Sequence, residues 1–90
     1  MTRAETILLI LYDNVGVGNE YDRPFVVCQL GMAQTLNTSR TAISLVLCDL
    51  EKKGLVSKSL RHAGGGKRTH CYDLTPTGIR LAQALKKASA

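Results

Sequence analysis

The sequence has no long hydrophobic run and no segment typical of export. Its longest uninterrupted apolar stretch, residues 7–12, has six residues, whereas about 20 are needed to span a bilayer. The N-terminus lacks the basic segment that precedes the hydrophobic core of a secretory signal. We therefore expect a cytoplasmic protein that does not engage a membrane.

Cysteine and proline are also scarce. The three cysteines, Cys28, Cys48 and Cys71, form no CxxC pair and are odd in number, which argues against a disulfide framework. We expect reduced, mostly buried thiols, with Cys48 at the edge of the core. Two prolines, eight glycines and 44% hydrophobic residues do not match a disordered or collagen-like chain. Ninety residues then predict a single domain, 1–90, with one core.

Residue patterns typical of catalysis or metal binding are absent as well. No cysteine or carboxylate lies at zinc spacing from both histidines, His62 and His70, and no nucleophile has a defensible spacing from a base. Three consecutive glycines at residues 64–66 precede a strand pattern, whereas a Walker loop precedes a helix. The sequence therefore predicts neither an enzyme nor a cofactor or metal site.

Positive charge is what the sequence has in excess, and it is unevenly placed. The formal net charge is +5. Residues 1–25 carry two basic and four acidic side chains, whereas residues 26–90 carry ten basic and three acidic side chains. Clustered lysine and arginine release condensed counterions when they meet phosphates. The charge therefore points to a polyanionic partner and does not by itself distinguish DNA, RNA and acidic protein.

The first helical signal covers about residues 2–14, where Thr2 and Glu5 have the spacing of a capping box. One apolar stripe is formed by Ile7, Leu8 and Leu11. Further apolar side chains extend around the helix: Leu9, Ile10 and Tyr12. This is more than a surface helix needs, and either the rest of the core or a second subunit covers the surplus.

Two more helices follow a polar, turn-like stretch at residues 19–24. Residues 25–27 form a short strand or pack as a lead into the next helix. We predict helices at about residues 29–36 and 40–53, with Ser39 as the second N-cap. Their apolar stripes are Leu30, Ala33 and Leu36, then Ile43, Val46, Leu47 and Leu50. Two helices joined by about three residues form a helix-turn-helix over residues 29–53.

The periodicity changes after Gly54, which ends the second of these helices. Residues 55–61 and 69–74 alternate like strands around the glycine-rich tip, so we expect a hairpin, or wing, over residues 55–74.

A closing helix is predicted over about residues 76–88. Thr75 is its N-cap, Pro76 occupies its first position, and its apolar stripe is Leu81, Leu85 and Ala88. The expected fold class is α+β, mainly α. It is a winged helix-turn-helix with a three-helix core, a two-stranded β wing and a C-terminal helix.

Three motifs resemble the winged-helix transcription regulators of the MarR-like type: LNTSR at 36–40, LEKKGLV at 50–56 and YDLTPTG at 72–78. The resemblance covers about residues 27–80 and implies a DNA-binding regulator. The wing is also similar to that of winged-helix domains in archaeal regulators. One departure is Gly66, which stands where MarR-like wings usually carry an aspartate.

The polar side of the second helix of the helix-turn-helix is the predicted DNA-reading face. At 100° per residue, it lies opposite the apolar stripe and presents Thr41, Ser44, Leu45, Cys48 and Lys52, with Ser39 and Arg40 at its N-terminal end. About fourteen residues make a rod of roughly 21 Å, which suits a major groove about 12 Å wide.

The individual roles on this face differ in chemistry. Arg40 is the first choice for a base contact because its guanidinium can take guanine O6 and N7 together, and the alternative is a solvated surface side chain. Thr41 and Ser44 can reach phosphates or bases, while Thr38 and Ser39 can hold a phosphate at the helix N-terminus. Leu45 has two interpretations, a contact with a thymine methyl or a protein-binding face.

Basic residues also mark the wing: Lys58, Arg61, Lys67 and Arg68. They can follow a phosphate backbone or enter a minor groove, and the alternative is a solubilising edge. The leading hypothesis is a sequence-specific regulator that binds double-stranded DNA as a homodimer. Its predicted dimer contacts are Leu9, Tyr12, Leu81 and Leu85. The alternative is a winged-helix module that binds protein within a larger assembly.

Overall fold

The computed structural model describes residues 2–15, 22–23, 25–63 and 68–89. The elements in chain order are α1 (Arg3–Asp13), β1 (Asp22–Arg23), a 3-10 turn (Phe25–Val27), α2 (Gln29–Thr35), α3 (Arg40–Lys52), β2 (Val56–Ala63), β3 (Arg68–Leu74) and α4 (Pro76–Ser89). Four helices and an antiparallel β2–β3 hairpin confirm the predicted winged helix-turn-helix class. No helix in the described part of the chain is long and apolar enough to cross a membrane.

The predicted N-caps all form. Thr2 Oγ1 accepts from the Glu5 amide at 3.2 Å, and the Glu5 carboxylate accepts from the Thr2 amide at 2.9 Å, which completes a capping box. The hydrogen bond from the Thr2 amide, and after it one from the Thr2 side chain, lower the pKa of the Glu5 carboxyl. Ser39 Oγ accepts from the Ala42 amide at 3.1 Å, and Thr75 Oγ1 accepts from the Gly78 amide at 3.1 Å.

A tight turn sets the direction of α3 relative to α2. Asn37 has a φ of 53°, in the left-handed region that asparagine tolerates better than most residues. The Thr38 amide donates back to the Ala33 carbonyl oxygen at 3.0 Å, so the end of α2 is satisfied by the residues that follow it. The two helices therefore meet as the predicted helix-turn-helix.

The core lies where the three N-terminal helices, β3 and α4 meet. The apolar stripes predicted for α1 and α3 are buried on their inner faces: Ile7, Leu8 and Leu11, then Ile43, Leu47 and Leu50, with Val46 half-buried. The other elements complete this core with Val27, Cys28, Met32, Ala33, Val56, Cys71, Tyr72 and Ala82. Burial of these side chains leaves the opposite face of α3 to solvent.

The sheet has one strand more than predicted. The two-residue strand β1 pairs in parallel with β2, Asp22 opposite His62 and Arg23 opposite Ala63, to give the order β1-β2-β3. The interpretation of residues 19–24 as a turn is thus wrong at these two positions. The error arises because two residues carry no alternating pattern, and their pairing depends on a partner strand about forty positions away.

Residues 25–27 form a 3-10 turn that leads into α2, which is the second of the two alternatives that the sequence leaves open. Two local expectations need correction. Leu30 is 41% exposed, although Ala33 of the same predicted stripe is buried, because α2 turns Gly31 and Met32 toward the core together with Ala33. Cys48 is exposed on α3 and does not edge the core, whereas Cys28 and Cys71 are buried as expected.

Candidate nucleic-acid interface

The outer face of α3 carries the side chains predicted to read DNA. Arg40, Thr41 and Leu45 are exposed, and Ser44 is half-buried beside them. Leu45 is 69% exposed, although it is a large aliphatic side chain. Since the buried stripe faces inward, this outer face is available to a macromolecule along the length of the helix.

Four of these side chains line one shallow groove of about 370 Å³, together with a residue from α2. The lining residues are Gln29, Arg40, Thr41, Ser44 and Leu45. The groove combines a guanidinium, two hydroxyls, an amide and an aliphatic side chain. These groups can donate to and accept from base edges and can also contact a thymine methyl.

Gln29 is absent from the candidate residues that the sequence predicts. Its Oε1 accepts a hydrogen bond from Arg40 Nε at 3.4 Å, and its Nε2 donates to the Tyr72 hydroxyl at 2.8 Å. Tyr72 belongs to β3 and is only 3% exposed. A polar residue that opens a short helix gives little local signal, because its role depends on a strand 43 residues away.

The N-terminus of α3 is organised mainly by its cap. The Ser39 hydroxyl accepts from the Ala42 amide at 3.1 Å, which is the predicted capping role. Thr38 is half-buried, and its amide is used in the turn after α2. At this end of α3, the Thr38 and Ala42 amides that could donate to a phosphate are therefore already hydrogen-bonded within the protein.

The wing strands place part of the predicted basic set. Lys58 is exposed on β2, and Arg61 and Arg68 lie on β2 and β3, paired with Thr69 and His62. Lys67 and residues 64–66 lie outside the described residues. The hairpin register thus brings two of the predicted arginine positions toward the same end of the wing.

The predicted dimer face is formed by α1 and α4, which pack against each other. Leu9, Tyr12 and Leu85 are half-buried within the chain, while Leu81 is 40% exposed. Lys86 Nζ lies 3.1 Å from Asp13 Oδ1 and 5.5 Å from the Tyr12 ring centroid, so an exposed ion pair and a cation–π contact join the two helices. The rest of the core thus covers part of the apolar surplus of α1, and Leu81 is the most exposed of the four side chains.

No protein-family model matches the sequence, and no curated protein matches it. Solved structures do match in fold. The Staphylococcus aureus MepR–DNA complex superposes with a TM-score of 0.76 at 23% identity, over 97% of this chain and 62% of that one. A structure of MepR, a transcription regulator of the S. aureus multidrug efflux pump MepA, superposes with a TM-score of 0.75 at 23% identity, over 98% of this chain and 56% of that one.

A Lactococcus lactis ZitR mutant in its apo form gives a TM-score of 0.73 at 20% identity, over 97% of this chain and 56% of that one. The chain thus spans less than two thirds of the length of these MarR-family regulators. The likeness defines the fold: this is a winged-helix domain, and the resemblance derived from the three motifs is confirmed at that level.

Proposed function

We propose that the protein is a transcriptional regulator that binds double-stranded DNA in a sequence-specific manner. In this proposal α3 enters the major groove and the basic wing contacts the backbone or an adjacent minor groove. The observation that carries the proposal is the groove on the outer face of α3. There, side chains that can form hydrogen bonds with base edges lie together on a helix long enough to occupy a major groove. Such a regulator works in the cytoplasm, requires no cofactor and performs no catalysis.

Charge and fold both support this assignment. Residues 26–90, which contain the helix-turn-helix and the wing, carry ten basic and three acidic side chains and are therefore the source of the positive net charge. A protein of the same fold, MepR, is known in complex with DNA. Phosphate contacts by this basic region would supply affinity, and the α3 groove would supply preference for sequence.

The proposed functional unit is a homodimer formed through α1 and α4, with Leu9, Tyr12, Leu81 and Leu85 near the two-fold axis. Two copies of α3 would then lie about 34 Å apart and contact successive major grooves, which predicts a palindromic site. The partly exposed Leu81 is the apolar side chain that such a contact would cover.

One observation favours a second candidate function. Leu45 is 69% exposed at the centre of α3, and a large exposed leucine also suits a protein-binding surface. In that case the chain would be an interaction module of a larger assembly, and any DNA binding would be weak and indifferent to sequence.

Selection of bound duplexes from a random pool tests the proposal. A regulator yields an enriched motif, and its affinity for that motif falls steeply with salt, with a slope of about 0.9 per phosphate contact. Lys87→Gln on α4 is a suitable control, because it removes one positive charge away from the α3 groove. An unenriched pool, with equal weak affinity for all duplexes, would contradict the proposal and favour the interaction module.

A further inference from the structure

We infer that Gln29 and Tyr72 are positioning residues that orient Arg40 for reading a base. The inference rests on the proposed function and identifies how the base-reading side chain is held before DNA arrives. Neither residue belongs to the recognition helix, since Gln29 begins α2 and Tyr72 lies in β3.

The hydrogen bonds between the three side chains have one consistent direction. Arginine is a donor only, so the atom that faces Arg40 Nε across 3.4 Å must be the amide oxygen of Gln29. The amide nitrogen then faces the Tyr72 hydroxyl at 2.8 Å, and the hydroxyl oxygen accepts. Reversal of the amide would set its nitrogen against the Arg40 donor, so Arg40 determines the orientation of the Gln29 amide.

Tyr72 anchors this chain of hydrogen bonds in the core. Its side chain is 3% exposed and packs within the hydrophobic cluster, so its hydroxyl has little freedom to move. Gln29 is half-buried between this anchor and the exposed Arg40. The buried Tyr72 hydroxyl thus limits the movement of the Gln29 amide, and the amide in turn limits the movement of the Arg40 side chain at the surface.

The consequence for Arg40 is pre-organisation. A guanidinium has five N–H donors in a rigid fork, and donation from Nε to Gln29 leaves the four on Nη1 and Nη2 for a ligand. An exposed arginine loses conformational freedom when it binds, and a prior contact that limits its rotamers reduces that loss. The same contact sets the angle at which the fork meets O6 and N7 of a guanine.

Two substitutions test the inference with little change in shape. Gln29→Met keeps the side-chain length but accepts no bond from Arg40, and Tyr72→Phe removes only the hydroxyl. Each should weaken binding of the selected duplex roughly two- to tenfold, the range for loss of one hydrogen bond. Each should also relax preference at the same base position that Arg40→Ala relaxes.

The decisive comparison is made in the Arg40→Ala background. There, Gln29→Met and Tyr72→Phe should have no further effect on affinity, because the group that they position is gone. Gln34→Met, on the exposed side of α2, is the matched control and should bind like the unaltered protein. Thermal unfolding of each variant confirms that it is folded.

Two results would overturn the inference while leaving the proposed function intact. One is unchanged affinity and base preference in Gln29→Met, in a protein whose specific binding Arg40→Ala weakens. The other is an equal loss of binding with and without Arg40, which would show that Gln29 and Tyr72 act independently of Arg40, through the fold or through a contact of Gln29 with DNA. Absence of duplex binding by the unaltered protein would instead overturn the proposed function, and the positioning role with it.

Discussion

The hydroxyl of Thr75 donates a hydrogen bond to the carbonyl oxygen of Gly54 over 2.6 Å, and thereby joins the end of α3 to the start of α4. The same hydroxyl accepts from the Gly78 amide and caps α4. Gly54 follows α3 with a φ of 74°, which reverses the chain into β2. One side chain thus links α3, the start of β2 and α4.

Thr75→Val should destabilise the fold by about 1–2 kcal/mol, because it removes both the cap and the bond to Gly54 while it preserves the shape of the side chain. Thr75→Ser, which keeps the hydroxyl, should retain most of the stability. Denaturant unfolding measures both variants. Equal midpoints for Thr75→Val and the unaltered protein would contradict the linking role.

Gly78→Ala should also be destabilising, by about 1–3 kcal/mol in denaturant unfolding. A Cβ at this position would collide with the backbone carbonyl of Leu55, which also accepts from the Thr75 amide at 3.0 Å. Backbone cannot move aside as a flexible side chain can, so the α3–β2 junction would have to shift away from α4.

Gly54→Ala is the matched comparison for this prediction. No atom of the described residues lies within 4 Å of the position that a Cβ would take at Gly54, and only the positive φ opposes a side chain there. We expect a cost of about 1 kcal/mol, from backbone conformation alone. A fully stable Gly78→Ala would show that the junction tolerates displacement.

The sequence is informative wherever the determining contacts are local. For α3, a capping serine, an apolar stripe at Ile43, Leu47 and Leu50, and a glycine stop all lie within one segment, and the structure has the helix at Arg40–Lys52. Gln29 could not be found in this way, because its partners come from α3 and β3 and meet only after the chain has folded.

The same reasoning explains the errors. The spacing of Leu30 with Ala33 and Leu36 predicts a core position, yet α2 has only seven residues, and so short a helix offers too few positions to define one face. The prediction for Cys48 depends on residue type, since cysteine is most often buried, but the inward face of α3 is already filled by its aliphatic side chains.

Arg40→Ala should lose roughly 1–3 kcal/mol of specific binding and relax preference at one base position. The reason is the loss of a fork that can satisfy two acceptors on a guanine. Affinity for the selected and for random duplexes, measured side by side, checks this. Equal weakening on both would make Arg40 a backbone contact and leave base reading to Thr41, Ser44 or Leu45.

Neutralising Lys67 and Arg68 together should weaken binding to every duplex and reduce the salt slope by about two. Arg68 begins β3 and Lys67 precedes it in the sequence, and neither belongs to a predicted apolar stripe, so the substitutions should leave the unfolding midpoint unchanged. An unaltered salt slope would remove the wing tip from the interface.

The proposed dimer predicts that a charge at Leu81 will separate the two subunits. This leucine is 40% exposed on α4, whereas Leu9, Tyr12 and Leu85 are half-buried within the chain. Leu81→Glu therefore places a charge on the two-fold contact with the least disturbance of the monomer core. We expect it to convert a dimer into a 9.8 kDa monomer in sedimentation at micromolar concentration.

The effect on DNA follows from linkage between the two half-sites. When one subunit is bound, the second meets its half-site at a high effective concentration, and splitting the dimer removes that advantage. Leu81→Glu should therefore bind a palindromic duplex no more tightly than a single half-site. Gln34→Glu adds the same charge to an exposed polar position of α2, outside α1 and α4, and should leave assembly unchanged. If the unaltered protein itself sediments as a monomer, free and with a half-site bound, the homodimer is excluded and the protein-binding interpretation of Leu45 gains weight.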